Sequence, residues 1–212
     1  MKNLVIIVIC LQFHFVSFAQ IFNDIDEATP FQEEIAAVKK GNQWGFIDKK
    51  GTLVIDYRND FVLTKNTDEM GNAMWYPLFK DNRCLIRKLS GDTYFYGYID
   101  KTGKTVIEPQ YLNALNFNNE IAIVLELIKK SVGKNDVLDK KIISYRYFEV
   151  TIDKDGMIQN YLTPEGTHII LEKKYLKVPP KVHSKLITNN LYTTKTKNNK
   201  WVIMPINKPI YN

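Results

Sequence analysis

A thirteen-residue segment that occurs twice limits what this chain can fold into more than any other feature. Residues 44–56 read WGFIDKKGTLVID and residues 96–108 read YGYIDKTGKTVIE, identical at seven of thirteen positions at a spacing of 52. Internal self-similarity of this length is the mark of a repeat architecture, in which one small unit is stacked on its neighbours. A third, weaker copy begins at Ile152-Asp153-Lys154-Asp155-Gly156, with Glu149 and Val150 where the aromatic and glycine stood. A second marker precedes each copy. Phe31, Ala36 and Val38 match Phe79, Cys84 and Ile86, then Phe117, Ala122 and Val124, all of the form F-x4-(A/C)-x-(V/I).

Each unit reads as strands. Residues 36–39 are short and apolar, and Gly41-Asn42 supplies a turn. Residues 43–47 then alternate, with Trp44 and Phe46 on one face and Gly45 and Ile47 on the other. Asp48-Lys49-Lys50-Gly51 is a hairpin loop, because the carboxylate can accept a backbone N–H further on and glycine tolerates positive φ. Residues 52–55 return, and the second copy repeats the pattern around Asp100-Lys101-Thr102-Gly103, with Pro109 ending the last strand. Gly45 and Gly97 sit inside a strand, where glycine is unfavourable unless a neighbouring ring or backbone needs the space. Hairpins this small are not stable alone, so neighbouring units are expected to share a core. Cys84 falls in the slot that holds alanine elsewhere, which predicts burial and a packing role.

The pattern W-G-F-I-D-x-x-G-x-x-V-I, preceded by A-x-V and an aromatic, resembles the WG-repeat family of β-stranded bacterial repeats. The likeness is close at Trp44, Gly45, Phe46, Ile47, Asp48 and Gly51. In the second unit Tyr96 replaces Trp, while Gly97, Ile99, Asp100, Gly103, Val106, Ile107 and Pro109 match. It covers residues 31–125 well and 142–175 poorly, and leaves the hairpin geometry of the third unit open. The resemblance implies an all-β, mainly antiparallel repeat array. It implies little about activity, since such repeats are associated with uncharacterised, often exported proteins.

The organisation expected is a signal peptide over 1–19, a β-repeat region over 20–175 and a basic, β-rich cap over 176–212. Within the repeat region, units fall near 31–78 and 79–116, with a degenerate one over 117–175. The signal rests on Lys2, an apolar run from Leu4 to Val16 too short to span a bilayer, and Ser17-Phe18-Ala19 before Gln20. Cleavage between Ala19 and Gln20 would make the protein secreted or periplasmic, with one remaining cysteine and no integral membrane segment. Residues 129–141 (KKSVGKNDVLDKK) read as a polar loop inserted into the third unit. In the cap, residues 186–194 and 200–204 read as strands with a turn around Asn198-Asn199. Charge is uneven: residues 20–60 hold five basic and eight acidic side chains, whereas 161–212 hold nine lysines against Glu165 and Glu172.

No residue pattern carries chemistry strongly enough to name a catalytic, cofactor-binding or metal site. His168 and His183 stand fifteen apart without a cysteine partner, and Asp153-x-Asp155-Gly156 lacks the further carboxylates of a calcium loop. There is no G-x-S-x-G elbow. Asp48 and Asp100 recur at equivalent positions, which distributes them along an array instead of converging them. Aromatics are the one functional hint: Trp44, Trp75, Tyr76, Tyr94, Phe95, Tyr96 and Tyr98 crowd the first two units. Exposed members would suit sugar rings or a partner's apolar surface. The reading is therefore a non-catalytic interaction or scaffolding module without a cofactor. It would bind protein, with glycan as a further ligand and no nucleic acid. The rivals are a cell-envelope carbohydrate-active hydrolase, which should gather titratable groups in one pocket, and a polyanion-binding protein acting through the C-terminal lysines.

Overall fold

In the computed structural model the described residues are 24–206, apart from 68, 69, 136–138, 174, 177, 189 and 197. The expected signal peptide over 1–19 and its cleavage site lie outside them. The fold is all-β, and no helix among the described residues is long and apolar enough to cross a membrane.

Four small antiparallel sheets follow one another along the chain. The first holds β1 (Glu27–Ala28), β2 (Ile35–Lys40), β3 (Gln43–Asp48) and β4 (Leu53–Arg58) in sequential order. A two-stranded hairpin, β5 (Thr64–Thr67) and β6 (Ala73–Tyr76), connects it to the second sheet. That sheet is β7 (Phe79–Lys80), β8 (Arg83–Ser90), β9 (Thr93–Ile99) and β10 (Thr105–Tyr111). The third has β11 (Ala122–Asn135), β12 (Lys140–Ile152) and β13 (Ile158–Tyr161), with β14 (Thr167–Ile169) also paired to β12. The fourth is β15 (Lys185–Thr188), β16 (Leu191–Lys195) and β17 (Trp201–Pro205).

The predicted D-x-x-G loop forms in both close copies. Asp48 Oδ1 accepts from the N–H groups of Lys50 and Thr52 at 2.9 and 2.8 Å, and Gly51 closes the turn at φ 78°. These bonds, that from Thr52 foremost, hold the Asp48 carboxyl below its ordinary value. The loop thus loses that support as pH falls through the lowered value. Asp100 and Gly103 repeat the arrangement. So does the third unit, whose hairpin the sequence left open: Asp153 Oδ1 accepts from Asp155 and Met157 N–H, and Gly156 has φ 83°. A fourth loop matches with different residues. Thr196 N donates to Lys200 O, Asn199 N to Thr196 O, and Asn199 takes the left-handed conformation at φ 59°. Alignment on these loops puts Trp44, Tyr96, Glu149 and Tyr192 in one structural position.

Another turn, which the sequence reading missed, opens each of the first three units. Glu33-Glu34, Asp81-Asn82 and Asn119-Glu120 all have positive φ at both central positions, the two-residue hairpin of mirror-image type without any glycine. These turns are stitched to one another. The Glu33 carboxylate accepts from the N–H groups of Asp81 and Asn82 at 2.6 and 2.9 Å, and Asp81 Oδ2 accepts from Glu120 N at 2.8 Å. A side chain from one turn thereby satisfies the backbone of the next.

Cores form between sheets, as the size of the units requires. Trp44, Phe46 and Ile55 of the first sheet pack with Phe79, Cys84, Ile86 and Ile99 of the second. The opposite side of the second sheet gives Leu85, Tyr96, Tyr98 and Ile107 to a core shared with Ala122, Val124, Val150 and Ile152. The third core is thinner, with Ile123, Leu162 and Tyr192 as its buried members. Phe79 and Phe117 are buried within these cores, whereas Phe31 is exposed, since it meets no preceding sheet among the described residues.

Three expectations are corrected. Pro109 does not end its strand: β10 runs past it through an irregular register to Tyr111. Residues 129–135 and 140–141 are not a loop but the outer part of β11 and β12, whose ladder runs from Ala122↔Ile152 to Asn135↔Lys140 with one bulge. Residues 186–194 are not one strand: β15 and β16 fold back on each other there.

Cys84 is fully buried, and burial pushes its thiol well above the ordinary value. Because Ala36 and Ala122 fill the same slot, Cys84→Ala should cost no more than about 1 kcal/mol of unfolding free energy in a denaturant melt. The folded protein should also react slowly with a thiol-directed maleimide; rapid labelling would contradict the register.

Candidate functional site

The aromatics that suggested a binding surface divide into core and surface. Trp44, Tyr76, Tyr96 and Tyr98 are buried, Phe95 is half-buried, and Trp75 and Tyr94 are exposed. Trp75 lies on β6, in the hairpin that connects the first sheet to the second. The guanidinium of Arg87 covers the Tyr94 ring at 4.7 Å, so one face of that ring is already in use. The exposed aromatics do not converge.

The candidate site lies instead where the repeat is most degenerate. A groove of about 660 Å³ opens between the third and fourth sheets. Tyr147 and Glu149 of β12 and the 163–167 segment line it on one side; Thr194 of β16 and Val202 and Met204 of β17 line it on the other. At the two earlier interfaces the loop glycine settles onto the preceding sheet: a Cβ at Gly103 would stand 3.2 Å from Ile55, and one at Gly156 would stand 3.4 Å from Ile107. Thr196 and Asn199 of the fourth loop line the open groove.

Glu149 explains how the groove is held. It occupies the tryptophan position of the unit and is buried. Its Oε1 accepts from His183 N at 2.9 Å and its Oε2 from Ser184 N at 2.7 Å. His183 Nδ1 is 3.4 Å from Oε1, and the ring is about half exposed toward the groove. Ser184 Oγ donates to Thr194 Oγ1 at 2.9 Å, which ties the same segment to β16. A carboxylate in an apolar slot is costly unless each oxygen is satisfied, and here two backbone N–H groups satisfy it. Glu149 therefore anchors the chain entering the fourth sheet, where an aromatic would have packed.

The other residues singled out in the sequence stay apart. His168 is on β14, paired with Arg146, away from the groove lining. Asp48, Asp100 and Asp153 remain in their separate loops. Among the described residues no group of three or more His, Cys, Asp or Glu side chains is placed to hold a metal ion. Sequence reasoning missed Glu149 and His183 as a pair. The signal was present, since Glu149 replaces an aromatic at a core position, and a buried acid there must find donors.

The family model for the WG containing repeat matches residues 24–44, 44–62 and 96–126. No curated protein matches the chain. The third and fourth hairpins lie outside these matches; the third keeps a weak copy of the motif, and the fourth is recognisable by its hydrogen bonds.

Proposed function

Because this chain carries WG containing repeats, we propose that it is a non-catalytic interaction module, and that it holds an extended segment of a protein partner in the groove between its third and fourth sheets. The observation that carries the reading is the groove's wall. Among the described residues β17 is an edge strand, paired only with β16, and it directs Val202 and Met204 into the groove. A peptide added along that edge would complete backbone hydrogen bonds, while its alternate side chains would point into the groove. Tyr147 and Pro164 offer apolar contact opposite, with Thr163 and Thr194 for polar groups.

Selection of a random peptide library on the immobilised full chain should enrich sequences of alternating apolar character. Val202→Asp should weaken the best of them at least tenfold while the protein still unfolds cooperatively, since Val202 is half-buried on the groove wall and belongs to none of the three cores. No enrichment, or equal binding by the variant, would overturn the reading.

Glu149 and His183 in one groove also favour a second reading, a hydrolase of the cell envelope, because a titratable pair in a cleft is what such chemistry needs. We rank it second because both Glu149 oxygens are bonded to backbone N–H groups. A carboxylate so engaged positions structure before it moves protons.

A further inference from the structure

The fourth sheet has a face opposite the groove; of its residues only Lys195, whose ammonium donates to Asn199 Oδ1 at 2.8 Å, also reaches the groove's rim. The pairs Lys195↔Trp201, Thr193↔Ile203 and Leu191↔Pro205, with Lys185↔Thr193, place these side chains together on one face. Tyr192, Thr194, Val202 and Met204 alternate to the other. Trp201 is 50% exposed and Ile203 67%, with exposed Leu191 beside them. The ammonium groups of Lys185 and Lys195 lie 5.6 and 5.3 Å from the Trp201 ring centroid. From Lys173 to Asn212 the chain has nine lysines and no Asp or Glu, so the sheet carries no negative charge of its own.

We infer that this face docks on the surface of an anionic lipid bilayer. An indole beside exposed aliphatic side chains suits the boundary between headgroup and hydrocarbon, where Trp is enriched. Lysine ammonium groups held beside the ring sit at the level where lipid phosphates would meet them. The aliphatic part argues against sugars or nucleic acid, which offer nothing to Ile203 and Leu191. A second copy is disfavoured as occupant, because self-docking would face this lysine-bearing, acid-free surface with another like it. Held this way, the chain would lie on the membrane by one sheet without crossing it.

Co-sedimentation of the full chain with phosphatidylcholine vesicles, with and without phosphatidylglycerol, tests the inference. Binding should need the anionic lipid and fall as salt rises. The double variant Lys185→Ala/Lys195→Ala should partition about thirtyfold more weakly, at roughly fivefold per lysine near an anionic surface. Trp201→Ala should also release the protein, and both variants should stay folded, because Trp201 and Lys185 are exposed and Lys195 is half-buried at the sheet surface with one exposed hydrogen bond. Equal partitioning onto neutral vesicles, or an unchanged double variant, would overturn it. So would equally tight binding to a soluble acidic polysaccharide or acidic peptide, or self-association without vesicles that Trp201→Ala abolishes.

Discussion

Trp44→Ala should cost about 3–5 kcal/mol, the range for removing a large buried aromatic. Trp44 is 5% exposed and belongs to the core between the first two sheets, where Phe46 makes edge-on contacts with Phe61 and Phe79 at 5.3 and 5.0 Å. The whole domain has only about 5–15 kcal/mol to lose, so the shift in a urea melt will be plain. Trp201→Ala is the internal control, since loss of an exposed side chain should stay within about 0.5 kcal/mol. Tryptophan emission separates them further: the buried, blue-shifted component should vanish only with Trp44. An unchanged midpoint for Trp44→Ala would make the tryptophan a surface residue and overturn the shared core.

Gly97→Ala should cost about 3 kcal/mol or more, at the top of the range for overpacking, while Gly45→Ala should cost less. The difference comes from the returning strands. Trp44↔Arg58 and Phe46↔Ile55 leave Asp56 and Tyr57 opposite Gly45 alone. Tyr96↔Tyr111 and Tyr98↔Ile107 leave Glu108, Pro109 and Gln110 opposite Gly97. Each is a bulge that carries the backbone over the glycine, and the larger one comes closer. A Cβ at Gly97 would stand 2.3 Å from the Ile107 carbonyl oxygen and 2.6 Å from Pro109 N; at Gly45 the nearest atom, the Ile55 carbonyl oxygen, would be 2.9 Å away. Backbone cannot rotate aside as a side chain would. Paired melts in which Gly97→Ala is no worse than Gly45→Ala would show that the bulge yields.

The same geometry explains what was legible in the sequence. The glycine after the aromatic could be read as a demand for space, and backbone from the returning strand fills it. In the third sheet Val150 stands directly opposite Tyr161, and in the fourth Thr193 stands opposite Ile203. No bulge crosses either position, so no glycine is needed, and the motif fades while the hairpin survives. The loop proved more tolerant than its signature, since Thr196 and Asn199 do what Asp and Gly do elsewhere through a hydroxyl acceptor and a left-handed asparagine. The polar run at 129–141 misled because lysine-rich composition reads as loop, yet a two-stranded ribbon exposed on its faces can carry such residues. The groove was illegible for another reason. It depends on a long-range bond between Glu149 and the 183–184 segment, which no local pattern announces.

The thin third core gives the groove a mechanical property. Each interior sheet is clamped from both sides, but the fourth rests on three buried residues and on the Glu149 tether. It is the weak link of a chain of nearest-neighbour couplings, so it can tilt away while Tyr98 and Ile152 keep their packing. The aperture therefore depends on the smallest of the three shared cores. A ligand that bridged the two walls would stabilise the last sheet by an amount that grows with the logarithm of its concentration above Kd. Occupancy would in this way be reported at the far side of the sheet, as a stiffening of the surface that carries Trp201.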